Sequence, residues 1–482
     1  MTQKYKLLIS GELVPGKLAP FTVIDPSTAL PVTVEAPHAS EEQVNEAVQS
    51  AFTAFRSEWS IKSLDERKKF LTKAVETLKP HVKELANILS QEQGKPLTSA
   101  TSEIESAISA MEDTTKIDIP VTKVGETDTH FLEIHRKPVG VVAAIIPWNY
   151  PIYIALMKIS HALIFGNTIV VKPSPYTPLS TLRVGEILAS VFPPGVVNVI
   201  TGPDTRDEKC VGDQLSRHGL VKLCAFTGSI PTGKRVFANS ASKLARMVLE
   251  LGGNDAAIVL KDADVQEAAK GVFEAGMINS GQICCGIKRI YVHSSIYKDF
   301  VSHITELAKA KATAVGPWNA SHATMGPLNN RMQFNRVTSL VEDAIQNGGT
   351  VIAGGKRPSH VNQEGFFFEP TIITNVKEGV RIVDEEQFGP VLPIMTFESE
   401  DEVITRANQT NYGLGASVWG SDPVAVNRVA KQLEAGLVWT NEHAADAPGL
   451  AFGGFKESGF GREGGDYDLL TYTEPQSVKL LK

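Results

Sequence analysis

The segment NSGQICCG, residues 279–286, places a cysteine after a helical stretch and a Gly–Gln turn. Cys284 at this position could face a cleft, where backbone N–H groups would lower its pKa and later hold an oxyanion. Most free cysteines are instead buried structural residues, and this short segment alone favours that alternative. Cys285 is adjacent and points in another direction, so both cannot be the nucleophile, and neighbouring cysteines rarely form a disulfide with each other.

Glu250 lies in LELGGN, at the end of an apolar run that predicts a buried strand. A carboxylate there contributes little to solubility, and the glycines that follow, Gly252 and Gly253, would let the backbone approach a ligand. These features are typical of a general base whose pKa is raised. A helix-capping or salt-bridged glutamate is an equally good interpretation of this segment alone.

The segment PWNYP, residues 147–151, holds an asparagine between two prolines that fix the backbone. Asn149 could donate a side-chain N–H to an oxygen on which negative charge develops. The alternative is a rigid turn that is packed by Trp148 and Tyr150.

Two further segments follow predicted strands and could contact a phosphate or a ribose. FTGSIPTG, residues 226–233, precedes a helix whose N–H groups could bind a phosphate. It lacks the full GxGxxG spacing, so a plain strand–helix turn is the alternative. KPSP, residues 172–175, ends another apolar strand, and its lysine would bind a ribose or a phosphate, or face water.

The elements that must position these residues alternate regularly from Pro138 onward. Predicted strands are Val139–Ile146, Thr168–Lys172, Val196–Thr201, Leu223–Thr227, Met247–Leu249 and Ala256–Leu260. Predicted helices are Ile152–Phe165, Leu179–Phe192, Thr205–Ser216, Thr232–Ala241 and Val265–Asn279. Fully apolar strands that alternate with helices predict a parallel sheet covered on both faces, which places ligands at the carboxyl ends of its strands.

A second series of elements begins after Gly281 and predicts a second α/β domain. Its strands are predicted at Arg289–Val292, Phe388–Phe397, Ala416–Trp419 and Gly436–Asn441, and its helices at Ile296–Lys311, Arg331–Asn347, Glu402–Asn408 and Val424–Glu434. The chain begins with predicted strands at Lys6–Ile9 and Phe21–Ile24 and then helices at about 40–55, 63–91 and up to 111, with a break at 93–98. Leu470–Leu481 predicts a final strand.

The composition of the 482 residues, with 42% hydrophobic and 21% charged, is typical of a globular protein with more than one domain. A net charge of −7 without a dense Lys/Arg block argues against a nucleic-acid or membrane partner. The N-terminus lacks a signal-peptide pattern, and Val139–Ile146 is too short to span a bilayer. Only four cysteines indicate a reducing cytoplasm, and no Cys/His spacing predicts a metal site.

Seven motifs in this order resemble the aldehyde dehydrogenase family. They are PWNYP, GNTIVVKPS, FTGS with Gly233, LELGGND, NSGQICC, EEQFGP and AFGGFKESGFGRE, and they run from Pro147 to Glu463. The resemblance implies oxidation of an aldehyde through a thioester, with NAD(P) as the hydride acceptor.

The resemblance also implies roles for the matching residues. Cys284 is the nucleophile, Glu250 is the base that activates water, and Asn149 is the oxyanion donor. Lys158 matches a lysine implicated in proton transfer near the base, and Glu463 matches a second glutamate proposed as base or relay. Implied cofactor-binding residues are Lys172 at the adenosine ribose, Gly228 and Ser229 at the pyrophosphate, Glu386 at the nicotinamide ribose, Phe388 beside the nicotinamide, and Trp148, Ser174, Gly233, Leu251 and Gly252.

The architecture implied by the resemblance has three parts. A Rossmann-type cofactor domain takes residues 1–121 and 139–252, and a second α/β catalytic domain takes residues 253–440. Residues 122–138 and 441–482 form a small β oligomerisation arm and the C-terminal segment. The arm would pair subunits by sheet extension into a homodimer or homotetramer.

One position departs from the family pattern, which has KPSE or KPAE where this chain has Pro175. The usual glutamate accepts a hydrogen bond from the adenosine ribose and repels a 2′-phosphate. Its replacement predicts that NADP is accepted as well as NAD, and Ser174 could also reach the ribose.

Positions in the family identify the candidate substrate-pocket residues, and these residues are apolar or aromatic. They are Tyr150, Tyr153, Met157, Ile283, Cys285 and Phe452. Since they include neither an arginine cluster nor an acidic group, they predict an apolar aliphatic or aromatic aldehyde. Two alternatives remain: a coenzyme-A-acylating aldehyde dehydrogenase, against which Glu250 argues, and a non-catalytic binding protein on the same fold.

Overall fold

The computed structural model describes residues 5–205, 210–445 and 449–482. Its strands are β1 (Leu7–Ile9), β2 (Glu12–Val14), β3 (Leu18–Asp25), β4 (Leu30–His38), β5 (Thr122–Glu126), β6 (His130–Pro138), β7 (Val141–Ile145), β8 (Thr168–Lys172), β9 (Val197–Val199), β10 (Val221–Thr227), β11 (Arg246–Glu250), β12 (Asp255–Val259), β13 (Ile287–His293), β14 (Thr350–Ala353), β15 (Thr371–Thr374), β16 (Val391–Phe397), β17 (Gly415–Trp419), β18 (Leu437–Thr440), β19 (Gly459–Phe460) and β20 (Thr473–Leu481).

The α-helices are α1 (Glu41–Ala54), α2 (Leu64–Leu78), α3 (Val82–Gln93), α4 (Leu97–Thr114), α5 (Pro151–Ile164), α6 (Leu179–Leu188), α7 (Val211–Arg217), α8 (Ile230–Ala241), α9 (Val265–Met277), α10 (Tyr297–Ala312), α11 (Arg331–Gln346), α12 (Arg381–Asp384), α13 (Glu400–Asn408), α14 (Pro423–Ala430) and α15 (Tyr467–Tyr472). Shorter turns of π or 3₁₀ helix lie at Phe55–Trp59, Lys79–His81, Ile278–Gly281, Ser294–Ile296 and Lys456–Ser458.

The first sheet has the strand order β19-β11-β10-β7-β8-β9-β1-β2. Strands β11, β10, β7, β8 and β9 are parallel, whereas β19 and β1 pair antiparallel at either side of them. Every residue of β7 and β8 is buried, as expected for strands that are covered on both faces. The predicted parallel sheet is therefore confirmed, and its strands end at Lys172, Thr227 and Glu250.

The second sheet has the order β14-β15-β16-β13-β12-β17-β18, and apart from antiparallel β14 its strands are parallel. Separate apolar clusters cover its two faces, one with Leu340 and Phe397 and the other with Phe273 and Ile290. The chain passes from the first sheet to the second between Glu250 and Asp255. The domain boundaries drawn from the sequence stay a prediction.

A third sheet, of order β20-β6-β5, joins the end of the chain to residues 122–138. Strand β20 pairs antiparallel with β6 from Thr473↔Pro138 to Leu481↔His130. Every residue of β5 is exposed, and so is most of β20. Among the described residues no helix has the length and apolar composition needed to cross a membrane.

Several predicted elements need correction. Phe388 does not start a strand, since its φ of 49° is left-handed, and strand β16 begins at Val391. The predicted strand Leu470–Leu481 begins as helix α15 and becomes strand only at Thr473. Strands β2, β14, β15 and β19 were not predicted because each is short, and β4 was also missed, although Val32, Val34 and Ala36 alternate with polar residues along it. Part of the helix predicted over 205–216 lies outside the described residues, and its described part is α7.

Helix starts follow from local capping. The Ser40 and Ser63 side chains accept hydrogen bonds from the backbone N–H groups of Gln43 and Glu66. The side chains of Gln43 and Glu66 in turn accept from the backbone N–H groups of the two serines. This reciprocal arrangement satisfies N–H groups that have no partner within the helix, and it fixes where α1 and α2 begin. Both helices pack into the apolar core of the first sheet.

Candidate active site

Cys284 lies on a tight loop between α9 and β13. Three consecutive residues before it, Asn279, Ser280 and Gly281, have left-handed φ angles of 49°, 59° and 73°. A β-carbon at Gly281 would collide with the carbonyl of Gly389, so the close approach requires glycine there. The Gln282 side chain donates to Asn279 O at 2.9 Å and accepts from Asn329 N at 2.8 Å. The loop is thus held from both sides, and Cys284 is half-buried on it.

The Asn149 side chain reaches this loop. Its Nδ2 donates to Gln282 O at 3.1 Å, two residues before Cys284. Its own carbonyl accepts from Lys95 Nζ at 2.8 Å and from Asn279 Nδ2 at 3.2 Å. The predicted oxyanion donor and the predicted nucleophile are therefore brought together by hydrogen bonds.

A buried ion pair supports the turn that carries Asn149. Lys95 Nζ lies 2.5 Å from Glu103 Oε2, and both side chains are buried. The other oxygen of Glu103 accepts from the N–H groups of Ile152 and Tyr153, at the start of α5. Lys95 Nζ also lies 4.0 Å from the centre of the Tyr150 ring. This pair was not predicted from the sequence, although the break at 93–98 contains Lys95.

Glu250 is the last residue of β11 and is 3% exposed. Neither oxygen of its carboxylate has a hydrogen-bond partner among the described residues. Burial, followed by the nearby charge of Glu463, raises its pKa well above the usual value, and the Cys284 thiol acts in the same direction. Glu250 is thus a buried carboxylate close to Cys284 that is free to accept a proton.

Glu463 lies close to Glu250 but is fully engaged. Both of its oxygens accept from Lys158 Nζ at 2.8 Å, and one also accepts from Tyr472 Oη at 3.1 Å. Lys158 is fully buried on α5, and Glu463 is 1% exposed. The charge of Lys158 opposes the effects that raise the pKa of Glu250. These residues, 305 positions apart in sequence, therefore form a buried ion pair beside Glu250.

The environment of Cys284 favours the thiolate. A hydrogen bond from the Cys285 thiol lowers the pKa of Cys284, burial opposes this effect, and the positive charge of Lys288 lowers the pKa further. The pKa of Cys285 is instead raised well above the usual value, mainly by the same interaction. Of the two adjacent thiols, Cys284 therefore ionises more readily, which agrees with its predicted role as nucleophile.

The residues predicted to bind the adenosine and phosphate groups lie at strand ends of the first sheet. Lys172 is the buried last residue of β8, and burial lowers its pKa. Ser174 is buried and accepts from Tyr176 N at 3.3 Å. Ser229 precedes α8 and caps none of its N–H groups with its side chain. Gly228 N donates to Glu250 O at 3.0 Å, which links this turn to β11.

Two glycines of this region permit close approach. A β-carbon at Gly233, in the first turn of α8, would lie 2.6 Å from the side chain of Leu251. A β-carbon at Gly252 would collide with the Glu386 carboxylate. Glu386 Oε1 accepts from Gly253 N at 3.0 Å, and burial raises the pKa of Glu386 to about 7. Glycine at 252 is therefore required for Glu386 to reach the end of β11.

Trp148 and Phe388 join the two sides of the site. Their ring centres lie 5.3 Å apart in an edge-to-face arrangement, at an angle of 82°. Gln333 Nε2 donates to the carbonyl of Gln387 at 2.8 Å and to that of Phe388 at 2.9 Å. The PWNYP and EEQFGP motifs therefore contact each other directly.

The predicted substrate-pocket residues divide into two groups. Ile283, Cys285 and Phe452 belong to one apolar cluster together with Cys284, Leu414 and Trp439. Tyr150 precedes α5 as its N-cap residue, and Tyr153 and Met157, in the first half of the helix, share one helix face and are half-buried. Nearby Cys285 and Cys284 contribute to the raised pKa of Tyr150, after burial and Glu103, which puts Tyr150 beside the cysteine loop.

Comparison with known proteins gives these residues a family. A model of the aldehyde dehydrogenase family matches residues 14–478. The chain belongs to the aldehyde dehydrogenase family. This aldehyde dehydrogenase thus has the fold class and the enzyme class that were predicted from its motifs.

The relatives of this aldehyde dehydrogenase align over nearly its whole length. A mitochondrial aldehyde dehydrogenase of Leishmania tarentolae is 37% identical, covering 98% of this chain and 94% of the relative. A phenylacetaldehyde dehydrogenase of Pseudomonas fluorescens is 36% identical, covering 98% and 95%. A betaine aldehyde dehydrogenase of Staphylococcus aureus, solved in complex with NAD⁺, superposes with a TM-score of 0.94 at 33% identity, covering 99% and 95%.

Two buried residues near Cys284 were not expected from the sequence. His443 Nε2 lies 2.8 Å from Cys285 O and 3.6 Å from Asp255 Oδ2, and its ring packs on Trp439. Lys288, the second residue of β13, donates to the carbonyls of the cysteine loop. A lysine inside an otherwise buried strand is a signal that sequence reading could have used. Within the described ranges, no cluster of three or more His, Cys, Asp or Glu side chains could hold a metal ion.

Proposed function

We propose that this aldehyde dehydrogenase oxidises an aldehyde to the carboxylic acid with NAD as hydride acceptor. Cys284 is the nucleophile, Asn149 the oxyanion donor and Glu250 the base that activates water. The observation that carries the proposal is one arrangement. A loop hydrogen-bonded to Asn149 carries a thiol with a lowered pKa, close to a buried carboxylate that has no hydrogen-bond partner in residues 5–205, 210–445 and 449–482.

The first half-reaction begins when the Cys284 thiolate attacks the aldehyde carbon and forms a C–S bond. The carbonyl oxygen becomes an alkoxide. A second N–H of the Asn149 amide and the backbone N–H of Cys284 stabilise that charge. Bound NAD would supply the hydride acceptor for this carbon, beside Trp148 and Phe388. The product on the protein is a Cys284 thioester.

The second half-reaction hydrolyses the thioester. Glu250 takes a proton from a water molecule, whose oxygen attacks the thioester carbon while the C–S bond breaks. The carboxylic acid leaves and the Cys284 thiolate is restored. A base with a raised pKa suits this step, because it holds the proton strongly at neutral pH and can later release it to solvent.

The residues at the strand ends suit a dinucleotide. The first N–H groups of α8 carry no cap from Ser229, so they are available to a pyrophosphate at the helix N-terminus. The buried ammonium of Lys172 suits ribose oxygens. Glu386, with one oxygen held by Gly253 N, suits the hydroxyl groups of the nicotinamide ribose. Trp148, Phe388, Gly228, Gly233, Leu251, Gly252 and Ser174 complete the proposed cofactor site.

We also propose that NADP is accepted. Pro175 carries no charge where the family pattern has a glutamate, so the repulsion of a 2′-phosphate is missing. Burial lowers the pKa of Lys172, and the nearby charges of Asp204 and Asp213 oppose this lowering. A Pro175→Glu variant should lose activity with NADP far more than with NAD. A preference of the unaltered enzyme for NAD by several thousand-fold would contradict the proposal.

The proposed substrate is an apolar aliphatic or aromatic aldehyde. The apolar cluster around Cys284, with Ile283, Cys285, Trp439 and Phe452, offers dispersion contacts to a substrate. Benzaldehyde and hexanal should therefore react with a higher kcat/KM than succinic semialdehyde or betaine aldehyde. The reverse order would show that polar groups outside this cluster select the substrate.

A homo-oligomer is proposed from the third sheet. Its apolar side chains Val124, Phe131, Leu480 and Leu481 are exposed, and β5 is an edge strand. Exposed apolar edges of this kind are usually covered by another chain. Light scattering after size exclusion should give the mass of a dimer or tetramer, and a monomer would exclude the proposal.

The central test measures the formation of reduced nicotinamide by the purified protein. A panel of aldehydes is used, with NAD and NADP in parallel. Turnover should vanish in Cys284→Ala and remain in Cys224→Ala, a buried cysteine of β10 whose thiol is hydrogen-bonded to Ser240. Addition of coenzyme A should not stimulate product formation, since water is the proposed acceptor of the acyl group. Turnover that survives in Cys284→Ala would exclude Cys284 as the nucleophile.

A further inference from the structure

Lys288 lies four residues after Cys284, in the buried strand β13, and is 3% exposed. Its ammonium donates to three carbonyls of the cysteine loop. The acceptors are Ile283 O at 2.9 Å, Cys284 O at 2.8 Å and Gly286 O at 3.0 Å. Because an ammonium has three N–H donors, Lys288 uses its full hydrogen-bonding capacity on the segment that carries Cys284.

The loop geometry needs a donor at this place. Gly286 N donates to Ile283 O at 3.3 Å, which closes a tight turn around Cys284. The carbonyls of this turn converge on one point inside the protein. Without a cation there, buried acceptors would lose partners at a cost of about 1–3 kcal/mol each. The backbone conformation of Cys284 is therefore coupled to the ammonium of Lys288.

Lys288 also supplies positive charge in an acidic neighbourhood. Its Nζ lies 4.0 Å from Glu386 Oε1, and its charge opposes the rise in the pKa of Glu386. Asp255 and Glu386 both raise the pKa of Cys284, and Lys288 lowers it. The titratable or charged groups that act on Cys284, or on which it acts, are Cys285, Lys288, Glu386, Asp255, Glu250 and Tyr150.

We propose that Lys288 is a positioning residue for the nucleophile: its ammonium fixes the backbone around Cys284 and places a positive charge beside the thiolate. The inference deepens the proposed function, since it rests on Cys284 being the reactive thiol. Lys288 touches neither substrate nor reacting atoms in this account, and acts through the loop and through its charge. It is also the link between that loop and Glu386, on the proposed cofactor side.

The test measures the ionisation of Cys284 without turnover. Purified protein, free of aldehyde and cofactor, is treated with the neutral reagent iodoacetamide from about pH 5.5 to 10.5. The alkylation rate of the Cys284 peptide is followed by mass spectrometry. Three variants are compared with the unaltered enzyme: Lys288→Met, which removes donors and charge, Lys288→Gln, which keeps donors, and Lys288→Arg, which keeps charge. Lys243→Met is the matched control, because Lys243 Nζ also donates to a backbone carbonyl, His218 O at 2.9 Å, far from the site.

In Lys288→Met and Lys288→Gln, Cys284 should react at least about threefold more slowly near pH 7, because a smaller fraction is thiolate. The rates should converge with that of the unaltered enzyme at high pH, where the thiol is fully ionised. Lys288→Arg should recover most of the rate near pH 7, and Lys243→Met should match the unaltered enzyme. If Lys288→Met does not fold, Lys288→Gln gives the same comparison.

The proposal is overturned if Lys288→Gln has the pH profile of the unaltered enzyme. It is also overturned if the rate changes equally at every pH, since that result reports only accessibility of the thiol. Failure of the proposed function would be seen separately, as turnover that survives in Cys284→Ala, and the alkylation profile would still decide the role of Lys288.

Discussion

Two glutamates are buried in the same region: Glu250 at the end of β11 and Glu463 in the glycine-rich segment before α15. Their carboxylates differ in their hydrogen bonds. Glu463 has three hydrogen bonds from Lys158 and Tyr472, whereas Glu250 has none within the part of the chain that the structure describes. A β-carbon at Gly453 would lie 2.8 Å from Glu250 Oε1, so backbone approaches Glu250 closely without donating to it. The comparison separates a carboxylate that is held by its partners from one left free to exchange a proton.

This difference has a physical reason. A buried carboxylate that is paired with an ammonium keeps its charge and its position, which makes it a poor proton acceptor. A buried carboxylate without donors has a raised pKa, and no hydrogen bond has to break when it takes a proton. We therefore assign the base to Glu250 and a supporting electrostatic role to Glu463 and Lys158.

The largest expected effect is that of Glu250→Gln. The amide cannot accept a proton from water, so steady-state acid formation should fall by about 10²–10⁴-fold. Formation of the thioester does not use Glu250, so rapid mixing should still show a burst of reduced nicotinamide close to one equivalent per active Cys284. A decrease below about tenfold would remove the distinction between the two glutamates.

Glu463→Gln should act mainly on stability. It leaves Lys158 charged and buried without its carboxylate, which costs about 3–5 kcal/mol of unfolding free energy. Urea denaturation should show this loss. The double variant Lys158→Met with Glu463→Leu, which removes both charges, should recover a large part of it. If Glu463→Gln has the same free energy of unfolding as the unaltered enzyme, the ion pair does not stabilise the fold.

Lys158→Met sharpens the electrostatic part of the comparison. The charge of Lys158 lowers the pKa of Glu250, so its removal should raise that pKa further. Because only ionised Glu250 is a base, the acid limb of the kcat profile should move to higher pH. The control is Lys243→Met, for which the limb should stay in place. A shift of the Lys158→Met limb to lower pH would contradict the assigned sign.

The smallest expected effect is that of Tyr472→Phe. It removes one hydrogen bond to Glu463 and leaves both bonds from Lys158 in place. Stability should fall by about 0.5–1.5 kcal/mol, and kcat should change by less than about threefold. Thermal unfolding and steady-state kinetics check these values. A decrease in kcat as large as that of Glu250→Gln would give Tyr472 a direct part in the reaction.

The sequence could predict the parts of the site that lie at strand ends. Glu250 and Lys172 each end an apolar run, and the kinked backbone around Asn149 and Cys284 carries Pro and Gly in the sequence. These are local signals that mark the residues as candidates, but each segment alone left a structural interpretation open. The resemblance to a family then ordered the segments and named their roles.

The supporting contacts could not be predicted in the same way, because they join segments far apart in the chain. Lys95 meets Asn149 across 54 positions, and Lys158 meets Glu463 across 305. The left-handed Phe388, because of which the strand begins later than predicted, is likewise stabilised from outside its own segment, by Gln333. Tertiary contacts of this kind leave no periodic pattern in the sequence.

The most direct test of the central claim is the hydrolysis rate of the preformed thioester as a function of pH, in the unaltered enzyme and in Glu463→Gln. Burial and the charge of Glu463 raise the pKa of Glu250, so removal of that charge should lower it. The account predicts that hydrolysis persists in Glu463→Gln and that its acid limb moves to lower pH. Loss of hydrolysis at every pH in folded Glu463→Gln would contradict the account and make Glu463 the base.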